Sequence, residues 1–224
     1  MKKILVPTDF SKTSVNALEV AVEIAKKSNA DITLLHVVEE ASSSSFSVTG
    51  EWQKEGWADK LYTVKLLEKS KAQLEKLVLD PRFEQVKVTG ELRVGNAFHG
   101  MRTIITDNKV DLVVMGTSGR SGAVDSVIGT NTERVVRHAK CPVLSINKKP
   151  SKVNFKNIVY ATAMHKDEEI FSRMVKKTQA FYNSTVHLVR INTPGDFQRD
   201  YVVKDYMEKF TKKLGLKNYT VNVF

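Results

Sequence analysis

"KILVPTDFSKTSVNALEVAVEIAKKSNADITLLHVV", residues 3–38, decides the fold. "KILVP" is a short apolar run closed by proline and reads as a buried strand. "TSVNALEVAVEIAKKS" then carries Val15, Leu18, Val22 and Ala25 at helical spacing, and "ADITLLHVV" is a second strand. Strand, helix and strand in succession is the unit that joins parallel neighbours, because a parallel pair needs a crossover of helix length.

The same alternation continues outward. A helix is expected from about Ala58 to Val78 with Val64, Leu67, Leu74 and Leu77 inward, then a strand around "FEQVKVTGELRV". A helix across "NAFHGMRTIITDN", the strand "DLVVMG", a helix across "NTERVVRHA" and the strand "CPVLSIN" complete the set. Five strands alternating with four helices predict an α/β fold, an open doubly wound parallel sheet with helices on both faces. Runs such as "LVVM" suit strands buried on both sides. Between the second strand and the long helix, "EEASSSSFSVTGEWQKEGW" breaks the pattern and reads as a mobile loop, with Trp52 and Trp57 able to fold down onto something.

After the linker "KKPSKV" the pattern restarts. Residues 155–192 lie over residues 1–38 at a constant offset of 154 without a gap, an internal repeat. Asp9 then falls on Ala163 and Val37 on Ile191, so the apolar frame persists while the carboxylate at the strand end is lost. One more helix, "RDYVVKDYMEKFTKKLG", and one strand, "NYTVNVF", follow, with no counterpart of the glycine-rich segment. Domains are therefore expected at 1–148 and 155–224, the second an incomplete copy. Half of a doubly wound sheet leaves an apolar edge, which predicts either a piece of a longer tandem protein, the favoured expectation, or another surface that supplies the missing strands.

Composition limits the function classes. The chain of 224 residues is 42% hydrophobic, enough for a real core. The apolar run after "MKK" stops at Pro7 and Asp9, short of a signal segment, and no run reaches membrane-spanning length; a soluble, cytoplasmic protein is expected. One cysteine, Cys141, excludes an internal disulfide and a cysteine metal cluster. The five histidines show no metal-ligand spacing. The net charge of +10 leans toward the tail: residues 1–150 hold 22 Lys and Arg against 18 Asp and Glu, residues 151–224 hold 13 against 7. The lysines sit on polar helix faces without interleaved aromatics, which argues for a solvated surface and against nucleic acid.

The chemistry concentrates in "VVMGTSGRSGAVDSVIGTNTERVVRHAKCPVL", residues 113–144. Gly116 ends a strand, Gly119 follows in the turn, and Gly129 and Thr130 come at the start of the last helix, Thr130 and Glu133 having capping-box spacing. Bare backbone at a strand end and at a helix N-terminus supplies main-chain N–H groups, which together could hold a polyphosphate. The bland alternative, an ordinary turn before an ordinary helix start, stays open at this level. Asp9 likewise could cap the first helix. Walker and dinucleotide-binding glycine motifs are both missing.

The spacing Gly116-x2-Gly119-x9-Gly129-Thr130 resembles the G-x2-G-x9-G-[ST] signature of the ATP-binding branch of the universal stress protein family. "ILVPTDFS", "LLHVVEE" and "TERVVRHAKCPVL" are similar to family hallmarks in the same order. The resemblance covers residues 1–147 fully and 155–224 in part, and implies an ATP site, with AMP or ADP as alternatives and Mg²⁺ carried on the phosphates. It places Pro7, Thr8 and Asp9 at the adenosine end, with the carboxylate accepting from ribose hydroxyls, and Val37 against the adenine. It places Met115, Gly116, Ser118 and Gly119 along the ribose and phosphates, and Gly129, Thr130 and Asn131 as phosphate donors. Ser118 stands where the family often has histidine, and Asn131 where an apolar residue is usual. A homodimer or an intramolecular pseudo-dimer, paired through "CPVLSIN", is the implied assembly, and the loop at 41–57 is expected to close over the nucleotide.

Two rival functions follow from the same residues. "SGAVDS" at 121–126 is similar to the loop of PP-loop pyrophosphatases, but Ala123 replaces a glycine and the segment follows the fourth strand, not the first. No base stands in the motif to activate water, so hydrolysis, if any, would be slow. The other rival is a dimerisation scaffold without ligand, the preferred reading for the second domain.

Overall fold

The computed structural model describes residues 1–39, 57–117, 130–164 and 169–224, with backbone only at 57–60, 130, 169 and 170. The chain divides into two compact units, Met1–Val153 and Asn154–Phe224. The first runs β1 (Lys3–Pro7), α1 (Lys12–Ser28), β2 (Asp31–Val38), α2 (Trp57–Val78), β3 (Val88–Val94), α3 (Ala97–Asp107), β4 (Leu112–Gly116), α4 (Thr130–His138) and β5 (Val143–Ile146). Its strands form one parallel sheet in the order β3-β2-β1-β4-β5, the doubly wound architecture that the alternation predicts. The chain winds from β1 out to β3, then returns to β4 on the other side of β1. The winding direction therefore reverses between β1 and β4.

Local chemistry sets the helix limits. Ser11 has extended backbone and its Oγ accepts from Ser14 N–H, which starts α1; Asn29, at φ 54°, ends it in the left-handed region. Leu18, Val22 and Ala25 are buried on α1 and Val15 half-buried, as their spacing predicts. On one face of the sheet Leu5, Leu35, Val113 and Met115 pack with Met101, Ile104 and Ile105 of α3 and Val135 of α4. The alternate residues Ile4, Val6, Ile32 and Leu34, also buried, take the other face toward α1 and α2.

Two sequence expectations need correction. Val64 is 49% exposed, while Ser70 is 3% exposed. The inward stripe of α2 runs through Ser70 and Leu74, and Val64 lies roughly 100° from its centre at 100° per residue. The strand expected from Phe83 begins only at Val88, because Asp80 and Pro81 start a 3-10 turn at Pro81–Phe83, with Arg82 N–H donating to Asp80 Oδ1 at 3.0 Å.

The second unit runs β6 (Asn157–Ala161), α5 (Glu169–Tyr182), β7 (Thr185–Arg190), α6 (Asp200–Leu214) and β8 (Tyr219–Val223), with parallel strands in the order β6-β7-β8. The offset of 154 holds at the level of single hydrogen bonds. Thr8 N–H donates to Leu35 O and Thr162 N–H to Val189 O; Asp31 N–H donates to Lys2 O and Thr185 N–H to Lys156 O. Phe10 and Met164 share left-handed backbone, at φ 63° and 62°, and each donates its N–H to the hydroxyl of a threonine two residues earlier. The sheet is a partial second copy of the first, built from the equivalents of β1, β2 and β3.

No described helix is long and apolar enough to cross a membrane. Cys141 is half-buried beside the α3–α4 cluster, and burial, then the nearby Asp111 charge, push its thiol pKa up. Because the thiolate is the nucleophile, Cys141 is expected to react with iodoacetamide at pH 8 at least several-fold more slowly than in the urea-unfolded chain. Equal rates would place the thiol in open solvent.

Candidate functional site

A cleft of about 560 Å³ opens at the carboxyl ends of β1, β2 and β4, where the winding reverses. Pro7, Thr8, Asp9, Val37, Met115, Gly116 and Asn131 all line it. Residues up to 124 positions apart in sequence (Pro7 to Asn131) are thus gathered by the topology alone. Thr130 is the first residue of α4, its side chain not described. Ser118, Gly119 and Gly129 lie outside the described residues, as do the serine-rich loop at 41–56 and the "SGAVDS" segment.

Each described wall has a local cause. Thr8 is buried, its hydroxyl 3.0 Å from Ser14 Oγ and accepting from Phe10 N–H at 3.0 Å. Asp9 does not cap α1; Ser11 does, and Asp9 Oδ1 instead accepts from Ser11 N–H at 3.0 Å across a tight turn. The Asp9 side chain stays exposed along the cleft. Burial pushes its carboxyl up, but hydrogen bonds from Ser11, then Ser14, more than offset this and hold it below the ordinary aspartate value. Val37 faces α3 so closely that a Cβ on Gly100 would lie 3.1 Å from its methyl.

Gly116 has a different reason for being bare than the sequence suggests. A Cβ there would lie 2.6 Å from the carbonyl carbon and oxygen of Thr13 and 2.8 Å from Ser14 N. The end of β4 therefore sits directly against the first turn of α1, and the missing side chain makes room for protein backbone. Gly116 still lines the cleft, so this contact locks the Asp9 turn and the end of β4 into one wall.

Sequence reasoning missed other lining residues. Ser11, Thr13 and Ser14 form a hydroxyl-rich rim, with Ser11 Oγ 2.9 Å from Thr13 Oγ1; the run "SKTS" after a strand end was the available signal. His36, treated as an ordinary histidine, also lines the cleft. Its Nδ1 lies 2.7 Å from Thr8 O, and its ring packs against Phe10 with centroids 4.3 Å apart and the planes tilted by 38°. A carbonyl only accepts, so Nδ1 carries the proton and the imidazole pins the Thr8–Phe10 turn. Glu133, the expected back-reaching member of a capping box, has Oε1 accepting from Arg137 at 3.0 Å.

Among the described lining residues the acidic groups are Asp9 and Glu39, and lysine and arginine are not among them. No group of three or more His, Cys, Asp or Glu among the described residues is placed to hold a metal ion.

The cleft lies at the switch point of an open doubly wound sheet, the place where α/β proteins of this architecture commonly take ligands. Residues 1–147 match the universal stress protein family, and the chain belongs to that family. Universal stress protein MJ0531 of Methanocaldococcus jannaschii is 32% identical over 151 residues, covering 67% of this chain and 84% of that one. MJ0577 of the same organism is 29% identical over 157 residues, 67% of this chain and 97% of that one. The solved structure of MJ0577 aligns with a TM-score of 0.50 at 28% identity, over 67% of this chain and 98% of that one. A universal stress protein from Archaeoglobus fulgidus DSM 4304 gives a TM-score of 0.72 at 18% identity, over 99% of this chain and 77% of that one, a likeness of fold.

Proposed function

We propose that the first unit binds ATP, with AMP or ADP as lesser ligands, as a regulatory ligand in the cytoplasm. The observation that carries this reading is the convergence of Asp9, Val37, Met115, Gly116 and Asn131 on one cleft at the switch point. A volume of about 560 Å³ lies within the usual range for small-molecule sites. In this reading the Asp9 carboxylate accepts from the ribose hydroxyls, Val37 and Met115 bound the adenine and ribose, and Asn131 with the start of α4 faces the phosphates. Mg²⁺ would arrive on the phosphates and supply charge neutralisation there. The second unit has Ala163 in place of Asp9 and is assigned no nucleotide.

Mass spectrometry of small molecules released when the purified protein is denatured, paired with calorimetric titration of ATP, tests the reading. An adenine nucleotide in the released fraction, or saturable heat with ATP, is expected. An empty protein that gives no heat up to millimolar ATP would leave the scaffold reading in its place.

A further inference from the structure

We infer that the second unit carries an oxyanion site of its own at the carboxyl end of β7, built on Arg190 and closed by the Asp196 carboxylate. The offset of 154 sets Arg190 where the first unit has His36, a residue of its cleft. Arg190 ends the middle strand of the parallel sheet β6-β7-β8, at the equivalent of the β2 end that borders the cleft in the first unit.

The side chain is unusual for this place. Along β7 it follows Val186 and Leu188, both 0% exposed, on the face toward the core, and is itself 9% exposed. A guanidinium cannot shed its charge, so one this buried needs an anion beside it. Among the described residues that anion is Asp196, whose Oδ2 accepts from the Arg190 NH2 group at 2.7 Å. Asp196 belongs to the 3-10 turn Pro194–Asp196 and its side chain is 68% exposed, against 10% for Arg190. One exposed carboxylate oxygen thus takes a single bond from a guanidinium fork of five N–H donors. A free oxyanion could present two oxygens to the same fork, the stronger geometry.

The turn after β6 keeps the shape of the Asp9 turn, with Met164 at φ 62° and its N–H on Thr162 Oγ1, yet Ala163 has removed the carboxylate. A negative group has left one strand end and a positive group has appeared on its neighbour. The segment carrying Asp196 is tied at its ends, Asn192 Nδ2 donating to Gln198 O at 2.9 Å, and at its turn, Asp196 N–H donating to Thr193 O at 3.0 Å, while Asn192 Oδ1 is buried without a partner among the described residues. Asp196 acts as an internal stand-in that an external phosphoryl or carboxylate group displaces.

The test is a titration of the full chain with inorganic phosphate, and in parallel with acetate, at constant ionic strength in chloride, with ATP present to fill the first unit. The readout is the NMR resonance of the Arg190 Nε–H. Asp196→Asn removes the internal competitor and is expected to tighten binding of at least one of the two anions fivefold or more; whichever binds tighter names the class. Arg190→Gln is expected to abolish the site-specific stabilisation of the protein by that anion. No saturable shift with either anion in Asp196→Asn overturns the site. So does an anion affinity unchanged by Asp196→Asn, which decides the matter even where Arg190→Gln fails to fold.

Discussion

Gly116→Ala is expected to lower the stability of the first unit by about 2–3 kcal/mol, toward the upper end of the usual cost of over-packing. For a unit of 153 residues that is a fall in Tm of roughly 5–10 °C. The added methyl would meet Thr13 C and O at 2.6 Å and Ser14 N at 2.8 Å, all backbone atoms of a capped helix turn that cannot swing aside. Gly90→Ala is the control. Its methyl would meet Leu74 Cγ at 3.0 Å and a Val78 methyl at 3.1 Å, side-chain atoms that can yield by a few tenths of an ångström. Differential scanning calorimetry on both variants separates the cases: equal Tm values for Gly116→Ala and the parent would show that α1 and β4 are not in the contact described. The Gly116 variant should also weaken nucleotide binding, since pushing the α1 turn away moves the Asp9 wall with it.

That glycine shows where a sequence can mislead. The strand–helix–strand pattern was legible because strands buried on both faces leave uninterrupted apolar runs, and the repeat was legible because the apolar frame of residues 1–38 recurs over residues 155–192 at a constant offset of 154. Gly116 was legible as a bare strand end, and Pro7, Thr8, Asp9, Val37, Met115 and Asn131 only through the family signature. Spacing says that Gly116 must be bare, and not whether a ligand or the chain itself approaches. The polar lining escaped for a related reason: Ser14, 5% exposed, sits where the end of β4 meets the first turn of α1, and no hydrophobic period marks it. The start of β3 was misread because Phe83 is apolar and buried, yet belongs to a turn dictated by the Asp–Pro pair before it.

Asp9→Asn is expected to weaken ATP binding about 10- to 100-fold while leaving the fold intact. A hydrogen bond to a charged acceptor contributes roughly 1.5–3 kcal/mol, and each 1.4 kcal/mol is about a factor of ten in Kd. The amide keeps an oxygen for Ser11 N–H, so the turn that presents residue 9 survives; Asp9→Ala loses that as well and should cost about 1 kcal/mol of stability besides. The diagnostic comparison uses 2′,3′-dideoxy-ATP. If the carboxylate accepts from ribose hydroxyls, the parent protein already binds this analogue weakly and Asp9→Asn weakens it little further, so the two changes are not additive. An equal loss for ATP and the analogue would move Asp9 off the ribose. The pH dependence has a fixed sign. Because the folded protein holds this carboxyl below its ordinary value of 3.8, the charge persists through the mildly acidic range, and its contribution to folding and binding is present above 3.8 and lost only as pH falls through the lowered value. Calorimetric affinities in the parent should therefore stay level between pH 7 and 5 as far as Asp9 is concerned.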